Sequence, residues 1–275
     1  MKIPRVLFIK HVPSLSPERK TFLTKHLEER VPLGTDVRWC EDYNYDHPFV
    51  EWVQQKYRLP YGTKLTSNFI KTCHIFQMMV DENIESIICI DDDVMFHKDW
   101  VSILESINFS EIPQFINLGT ILRMDSNRPR HGTVYVCGNN GGCEGVFVSL
   151  EFAKFFLKNI NMHHSSDIIV HGMLYSMGQQ ILNVPVCHQT SCLEKHTTLD
   201  HDTRVEMPWM EYILKYVTLP KMSYDDMHAE YTAYRHLKKQ KEDKLFELYG
   251  KRINVKNIEY VIGESPEYCN DILKF

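Results

Sequence analysis

The sequence has no C-x-x-C pair among its eight cysteines, no basic tract, no apolar run long enough to cross a bilayer, no internal repeat and no low-complexity stretch. Each absence excludes something. Without paired cysteine spacing, Cys40, Cys73, Cys89, Cys137, Cys143, Cys187, Cys192 and Cys269 read as reduced thiols rather than a disulfide frame or a zinc site, which points to a cytoplasmic protein. A net charge of −5 with no Lys/Arg cluster argues against nucleic acid as a partner. The Val6-Leu7-Phe8-Ile9 run is too short for a signal peptide, and no later segment approaches a membrane span. Neither a Gly-Lys-Ser loop nor a G-x-G-x-x-G fingerprint accompanies the glycines at 138, 141 and 142, so they read as a flexible connection, not a phosphate cradle.

What is present is an ordinary globular composition, 43% apolar and 24% charged over 275 residues, enough for one large domain with an appendage. Its most informative stretch is Ile87-Ile88-Cys89-Ile90-Asp91-Asp92-Asp93. The apolar run reads as a buried strand, and three carboxylates at its carboxyl end would be costly beside a core unless something compensates them. Alternation along an extended chain would put Asp91 and Asp93 on one side and Asp92 on the other. Two hard oxygen ligands on one side suit Mg²⁺ or Mn²⁺, which in turn would hold a phosphate. The competing reading is a polar strand end or an acidic lead into the helix at Asp99-Trp100.

Strand-like and helix-like stretches alternate along the chain. Arg5 to Ile9 reads as a strand, and Ser16-Pro17-Glu18 opens a helix with Leu23, Leu27 and Val31 on one face. Asp36 to Cys40 reads as a second strand, and Thr66 to Asn83 as a helix burying Phe69, Cys73, Phe76 and Val80. The acidic strand follows, then a helix around Asp99–Ile107 and strands near Pro113–Leu118, Thr133–Cys137 and Gly145–Val148. Ser149 caps a helix carrying Phe152, Phe156 and Ile160, Ser166 caps another beginning at Asp167, and Ile181 to Val186 forms the last strand. This order predicts an α/β fold, a mixed and mostly parallel Rossmann-like sheet flanked by helices. Residues 1–205 are expected to form the main domain and 206–275 a C-terminal helical extension, with the charged stretch Tyr224 to Tyr249 as a solvated helix.

The order Phe8-Ile9-Lys10, Glu18-Arg19-Lys20, Cys73-His74, Ile90-Asp91-Asp92-Asp93-Val94, Gly145-Val146-Phe147-Val148-Ser149, Ala153-Lys154, Ser166-Asp167 and Pro185-Val186-Cys187-His188-Gln189 resembles the family 25 glycosyltransferases. That family includes bacterial lipopolysaccharide sugar transferases, collagen galactosyltransferases and related proteins of large DNA viruses. The resemblance covers residues 5–200 and implies a GT-A fold, a nucleotide-sugar donor with a UDP-sugar favoured, a glycan or glycoprotein acceptor and a divalent metal on the acidic motif. For a viral member the compartment would be the host cytoplasm. The chain departs from the family in having Asp91 where Glu is usual and Cys73 where Ser precedes the histidine, and in lacking the Cys and acid usual earlier in that helix.

The chemistry of sugar transfer then assigns expected roles. A metal neutralises the leaving diphosphate, so Asp93 is the expected direct ligand, Asp91 a ligand through water or a contact to the ribose, and His188 a further ligand that would favour Mn²⁺. Ligands of open α/β sheets sit outside the carboxyl ends of the strands, which places Ile9, Lys10 and His11 near base or ribose and brings Arg19, Asp42 and Asp92 within reach. Tyr43 is a candidate to stack on the base. An inverting transfer needs a general base; Asp167, at a helix start that favours its ionised form, is the candidate, ahead of Glu144 and then Asp125. His163, His164, His171, His196 and His201 lack metal-site spacing and read as surface or capping residues. A phosphotransferase using Asp91 as nucleophile is the competing enzyme class, weakened by Met95 where a phosphate-contacting Thr is expected; a silent sugar-binding protein on the same fold is the third.

Overall fold

The computed structural model describes residues 1–14, 17–57, 59, 62–109, 113–119, 135–136, 143–160, 166–179, 182–189 and 221–249. The chain divides into two compact units, Met1–Tyr224 and Asp225–Phe275. The boundary expected at 205/206 lies outside the described residues.

In the first unit, β1 (Val6–Lys10), α1 (Pro17–Arg30), β2 (Asp36–Cys40), α2 (Pro48–Lys56), α3 (Thr63–Asp81) and β3 (Ser86–Asp91) lead to the short β4 (Val94–Phe96) and α4 (Trp100–Ser106). Then come β5 (Phe115–Asn117), β6 (Tyr135–Val136), β7 (Gly145–Ser149), α5 (Leu150–Lys158), α6 (Ser166–Ser176), β8 (Leu182–Asn183) and β9 (Cys187–Gln189); α7 (Tyr224–Tyr249), apart from its first residue, belongs to the second unit. Seven strands form one sheet in the order β2-β1-β3-β7-β5-β8-β6, while β4 and β9 pair separately. The β2-β1, β1-β3 and β5-β8 pairs are parallel, and β7 runs antiparallel between β3 and β5. The fold is the expected mixed, mostly parallel α/β sheet with flanking helices.

Strand parity explains both covering layers. Leu7, Ile9, Ile88 and Ile90 face a core that also holds Leu23 and Leu27 of α1 and Trp100 and Leu104 of α4. On the other side a run of rings, Phe69 and Phe76 of α3 against Phe156 of α5, and Phe115 against Phe152, fills the second layer. Alternation therefore puts Lys10 with Phe8 in β1 and Asp91 with Cys89 in β3, on the side of α3.

Several local expectations hold for visible reasons. Ser149 Oγ accepts from the Phe152 amide at 3.1 Å and caps α5. Cys73, Cys89, Cys40 and Cys187 are buried, and with Cys143 they are free thiols. The structure also differs from the reading. Helix α2 was not anticipated, although Pro48 at its start and a His47 side chain accepting from the Phe49 amide mark it. The last predicted strand shortens to β8, which joins the main sheet, and β9, just beyond its expected end, pairs with β4. His171, read as a surface or capping residue, is fully buried in α6. No described helix is long and apolar enough to cross a membrane.

Candidate active site

Parallel strands β2, β1 and β3 end together. Lys10 is registered against Cys40 on one side and Asp91 on the other, so the basic end of β1 and the acidic end of β3 are neighbours. The chain then leaves the sheet, and the His11 amide donates to the Cys40 carbonyl at 3.1 Å. Lys10 is 7% exposed. Its Nζ lies 2.8 Å from Asp91 Oδ1 and donates to Asn68 Oδ1 of α3 at 3.2 Å. Burial opposes the Lys10 ammonium, yet Asp91 outweighs it and holds the pKa above the usual lysine value. Asp91 is pushed up to about 6, first by burial and then, against the pull of Lys10, by the neighbouring Asp93 and Asp92 charges.

Beyond Asp91 the chain turns at Asp92-Asp93 into β4, so the extended alternation expected through the triplet stops at Asp91. Asp92 and Asp93 do not diverge: both approach Nη1 of Arg19, from the first turn of α1, at 3.0 Å (Oδ1 of Asp92) and 3.7 Å (Oδ2 of Asp93). The second Asp92 oxygen is 2.7 Å from His11 Nδ1. Both oxygens of Asp92 are thus engaged. His11 is 1% exposed, packs edge-on against Trp39 at 5.4 Å, and its Nε2 has no hydrogen-bond partner among the described residues. Helix α1 is held against this turn because His26 Nε2 accepts the Phe96 amide at 2.9 Å; burial depresses the His26 pKa, which keeps that nitrogen an acceptor.

Glu144 completes the edge. Its carbonyl accepts the Asp91 amide at 2.8 Å. Its side chain is 3% exposed, and its carboxyl lies so close over Gly119 that a Cβ there would fall 2.0 Å from Cδ. The glycine is what leaves room for the acid.

The expected residues therefore separate into groups. Lys10, His11, Arg19, Asp91, Asp92 and Asp93 converge. Ile9 does not join them: its side chain is fully buried in the core and its backbone sits in the β1 ladders, so it supports the edge without facing it. Asp42 stands apart with its side chain 80% exposed, its carboxylate 3.8 Å from His74 Nε2. Asp167 lies in the first turn of α6, and His188 is registered opposite Met95 in the β4-β9 pair, two residues from Asp93; their side chains lie outside the described set. Asp125 lies outside it entirely. Among the described residues no group of three or more His, Cys, Asp or Glu is arranged around a metal position. The donor set still suits a hard dication: among the described residues three adjacent carboxylates meet two permanent cations, Lys10 and Arg19.

Two residues escaped the reading. Asn68 orients Lys10, and Lys71, 1% exposed on α3, donates to the carbonyls of Cys40 at 3.3 Å and Asp42 and to Asn44 Oδ1 at 3.0 Å. Burial depresses the Lys71 pKa. It fixes the loop after β2, where Tyr43 adopts a positive φ of 57° and packs edge-on against His47, Phe49 and His74. The signal was a lysine interrupting the apolar run from Phe69 to Cys73.

No family model matches the chain, and no curated protein matches it. Among solved structures it is similar to a crystal structure of a glycosyltransferase involved in the glycosylation of the major capsid of PBCV-1. The two share 10% identity over 78% of this chain and 98% of that one, with a TM-score of 0.35. A likeness that low carries no functional argument.

Proposed function

We propose that this protein is a glycosyltransferase that moves a hexosyl or pentosyl group from a nucleoside-diphosphate sugar, with UDP favoured, to a glycan or glycoprotein acceptor, with inversion. The observation that carries the reading is the convergence of Asp91, Asp92 and Asp93 with Lys10, His11 and Arg19 at the carboxyl ends of β1 and β3. That edge is where open α/β sheets take nucleotides. A donor diphosphate is polyanionic, and an acidic motif alone would repel it. Lys10 and Arg19 offer part of the needed positive charge, and Asp93 and Asp91, with His188 as a further ligand, are the residues that would hold Mn²⁺ or Mg²⁺. When bound, such an ion would neutralise charge on the leaving diphosphate.

In this reading the chain's own residues divide the work. His11 and Lys10 line the nucleotide end, and the buried Nε2 of His11 is free to meet a polar group of the donor. Asp167 takes the proton of the acceptor hydroxyl as the acceptor oxygen bonds to the anomeric carbon, and the bond from that carbon to the diphosphate breaks with its electron pair leaving on the diphosphate oxygen. Glu144 is the second candidate for the base.

The test is thermal stability and calorimetry with UDP, GDP, CDP and ADP, each with and without Mn²⁺. A native-state ligand at 100 times its Kd raises stability by about 2.7 kcal/mol, which a melting curve resolves. One nucleoside diphosphate is expected to bind in an Mn²⁺-dependent manner, and its sugar conjugate to be slowly hydrolysed. If no nucleoside diphosphate or nucleotide sugar shifts the melt with Mn²⁺ present, the reading is wrong.

A further inference from the structure

The two ring nitrogens of His11 stand in opposite situations. Nδ1 lies 2.7 Å from Asp92 Oδ2, while the other oxygen of Asp92 accepts from Arg19 Nη1 at 3.0 Å. Nε2 is buried and has no hydrogen-bond partner among the described residues. A carboxylate only accepts, so the hydrogen in the contact with Asp92 belongs to Nδ1. Arg19 already brings Asp92 a full positive charge, and the ring need supply no more than a hydrogen bond. An imidazole is mostly uncharged at neutral pH, and with Nδ1 protonated its Nε2 carries a bare lone pair. The ring is also fixed in place: the His11 amide donates to the Cys40 carbonyl at 3.1 Å, Asp92 holds Nδ1, and Trp39 packs edge-on at 5.4 Å. A rigidly held, buried acceptor that meets no donor is destabilising in the ligand-free protein. Its neighbours are open to solvent, the side chains of Asp91, Arg19 and Asp92 being 22%, 19% and 11% exposed, so a molecule docked on this edge lies against the groups that surround His11.

Resting on the functional reading above, we propose that His11 is a specificity-determining residue: Asp92 sets its tautomer, and its Nε2 accepts a hydrogen bond from the uridine of the donor. The group it meets must carry a hydrogen, either the imide N–H of the uracil or a hydroxyl of the ribose. A lone pair offered at the same place, such as the ring N3 of cytosine, would oppose the lone pair of Nε2 and be rejected. Asp92 is then a positioning residue for His11 instead of a ligand contact. The diphosphate, whose oxygens are acceptors, makes no use of a bare Nε2. Affinity for the nucleoside therefore depends on His11, and affinity for the phosphates alone does not.

The experiment titrates wild type and His11→Asn at saturating Mn²⁺ with UDP, N3-methyl-UDP, 2′-deoxy-UDP, 3′-deoxy-UDP and inorganic pyrophosphate. The Asn amide can donate to Asp92 in place of Nδ1 and offers nothing where Nε2 stood. His11→Asn is expected to bind UDP more weakly, on the order of tenfold, and pyrophosphate as wild type does. In wild type either the N3-methyl analogue or one of the deoxy analogues should show a loss of similar size, which tells the base from the ribose as the hydrogen donor, and in His11→Asn that penalty should vanish. A merely structural histidine would weaken pyrophosphate as well and leave the analogue penalty in place. Wild type that binds UDP, with His11→Asn unchanged toward it or still penalised by the same analogue, overturns the inference while the functional reading stands; so does wild type that binds pyrophosphate or another nucleoside diphosphate and not UDP. Wild type that binds none of them overturns both. Should His11→Asn fail to fold, the imidazole nitrogen resonances of wild type decide: Nδ1 protonated and Nε2 bare are expected without ligand, with Nε2 shifting on addition of UDP and Mg²⁺. A protonated Nε2, or one unmoved at saturating UDP, overturns the proposal.

Discussion

Replacing Lys10 with Met keeps the length of the side chain and removes the ammonium that faces Asp91 at 2.8 Å. In the wild type Asp91 titrates at about 6 against an ordinary value of 3.8, so between those values the folded state holds a proton that the unfolded state has released. Its contribution is full below 3.8 and declines as pH rises, levelling off above about 6. Without Lys10 the carboxylate loses its stabilising partner, its pKa climbs further, and the decline continues to higher pH. Each additional unit is about 1.36 kcal/mol, so at pH 8 the variant should be less stable by up to about 2.7 kcal/mol from this source alone, given that the wild-type decline stops near pH 6. The lost hydrogen bond to Asn68 adds a cost of about 1 kcal/mol that does not vary with pH. Urea denaturation followed by tryptophan fluorescence at pH 5, 6.5 and 8 reads the difference directly. The gap between wild type and Lys10→Met must widen from pH 6 to 8 and be smallest at pH 5; a constant or narrowing gap would refute the assignment of the Asp91 shift to burial opposed by Lys10.

Asp93→Ala is expected to abolish Mn²⁺-dependent nucleotide binding in calorimetry, and unchanged affinity would remove Asp93 from the metal site. Asp167→Asn should lower transfer, or donor hydrolysis until an acceptor is found, by about 10²–10⁴-fold while nucleotide affinity holds; a near wild-type rate would shift the role of base to Glu144. Gly145→Ala places a Cβ 2.5 Å from the sulfur of Cys187, a buried residue of β9, so the chain should lose about 1–3 kcal/mol in urea denaturation, and an unperturbed midpoint would show that Cys187 can step aside.

Most of the element order, the buried strand ending in carboxylates, and the side each residue takes within the strands could be read from the sequence alone, because strand parity and helical periodicity are local properties that survive into the fold. Phe8 and Cys89 fall on one side and Leu7 and Ile88 on the other, and the cap at Ser149 and the proline at the first position of α1 are local chemistry too. The candidate site was legible to the same extent, as residue types placed at strand ends: Lys10, Arg19 and the triplet were all named. Which residue pairs with which is set by the packed sheet. Asp91 meets Lys10 because β1 and β3 are neighbours in register, Asn68 joins them because α3 covers that side, and Asp92 and Asp93 share Arg19 because the chain turns immediately after Asp91 instead of continuing extended. The antiparallel β7 and the detachment of β4 with β9 belong to the same category, since strand direction and partner choice depend on long-range closure that no window of sequence carries. Periodicity tells a residue which way to face; only the packed sheet tells it what it will find there.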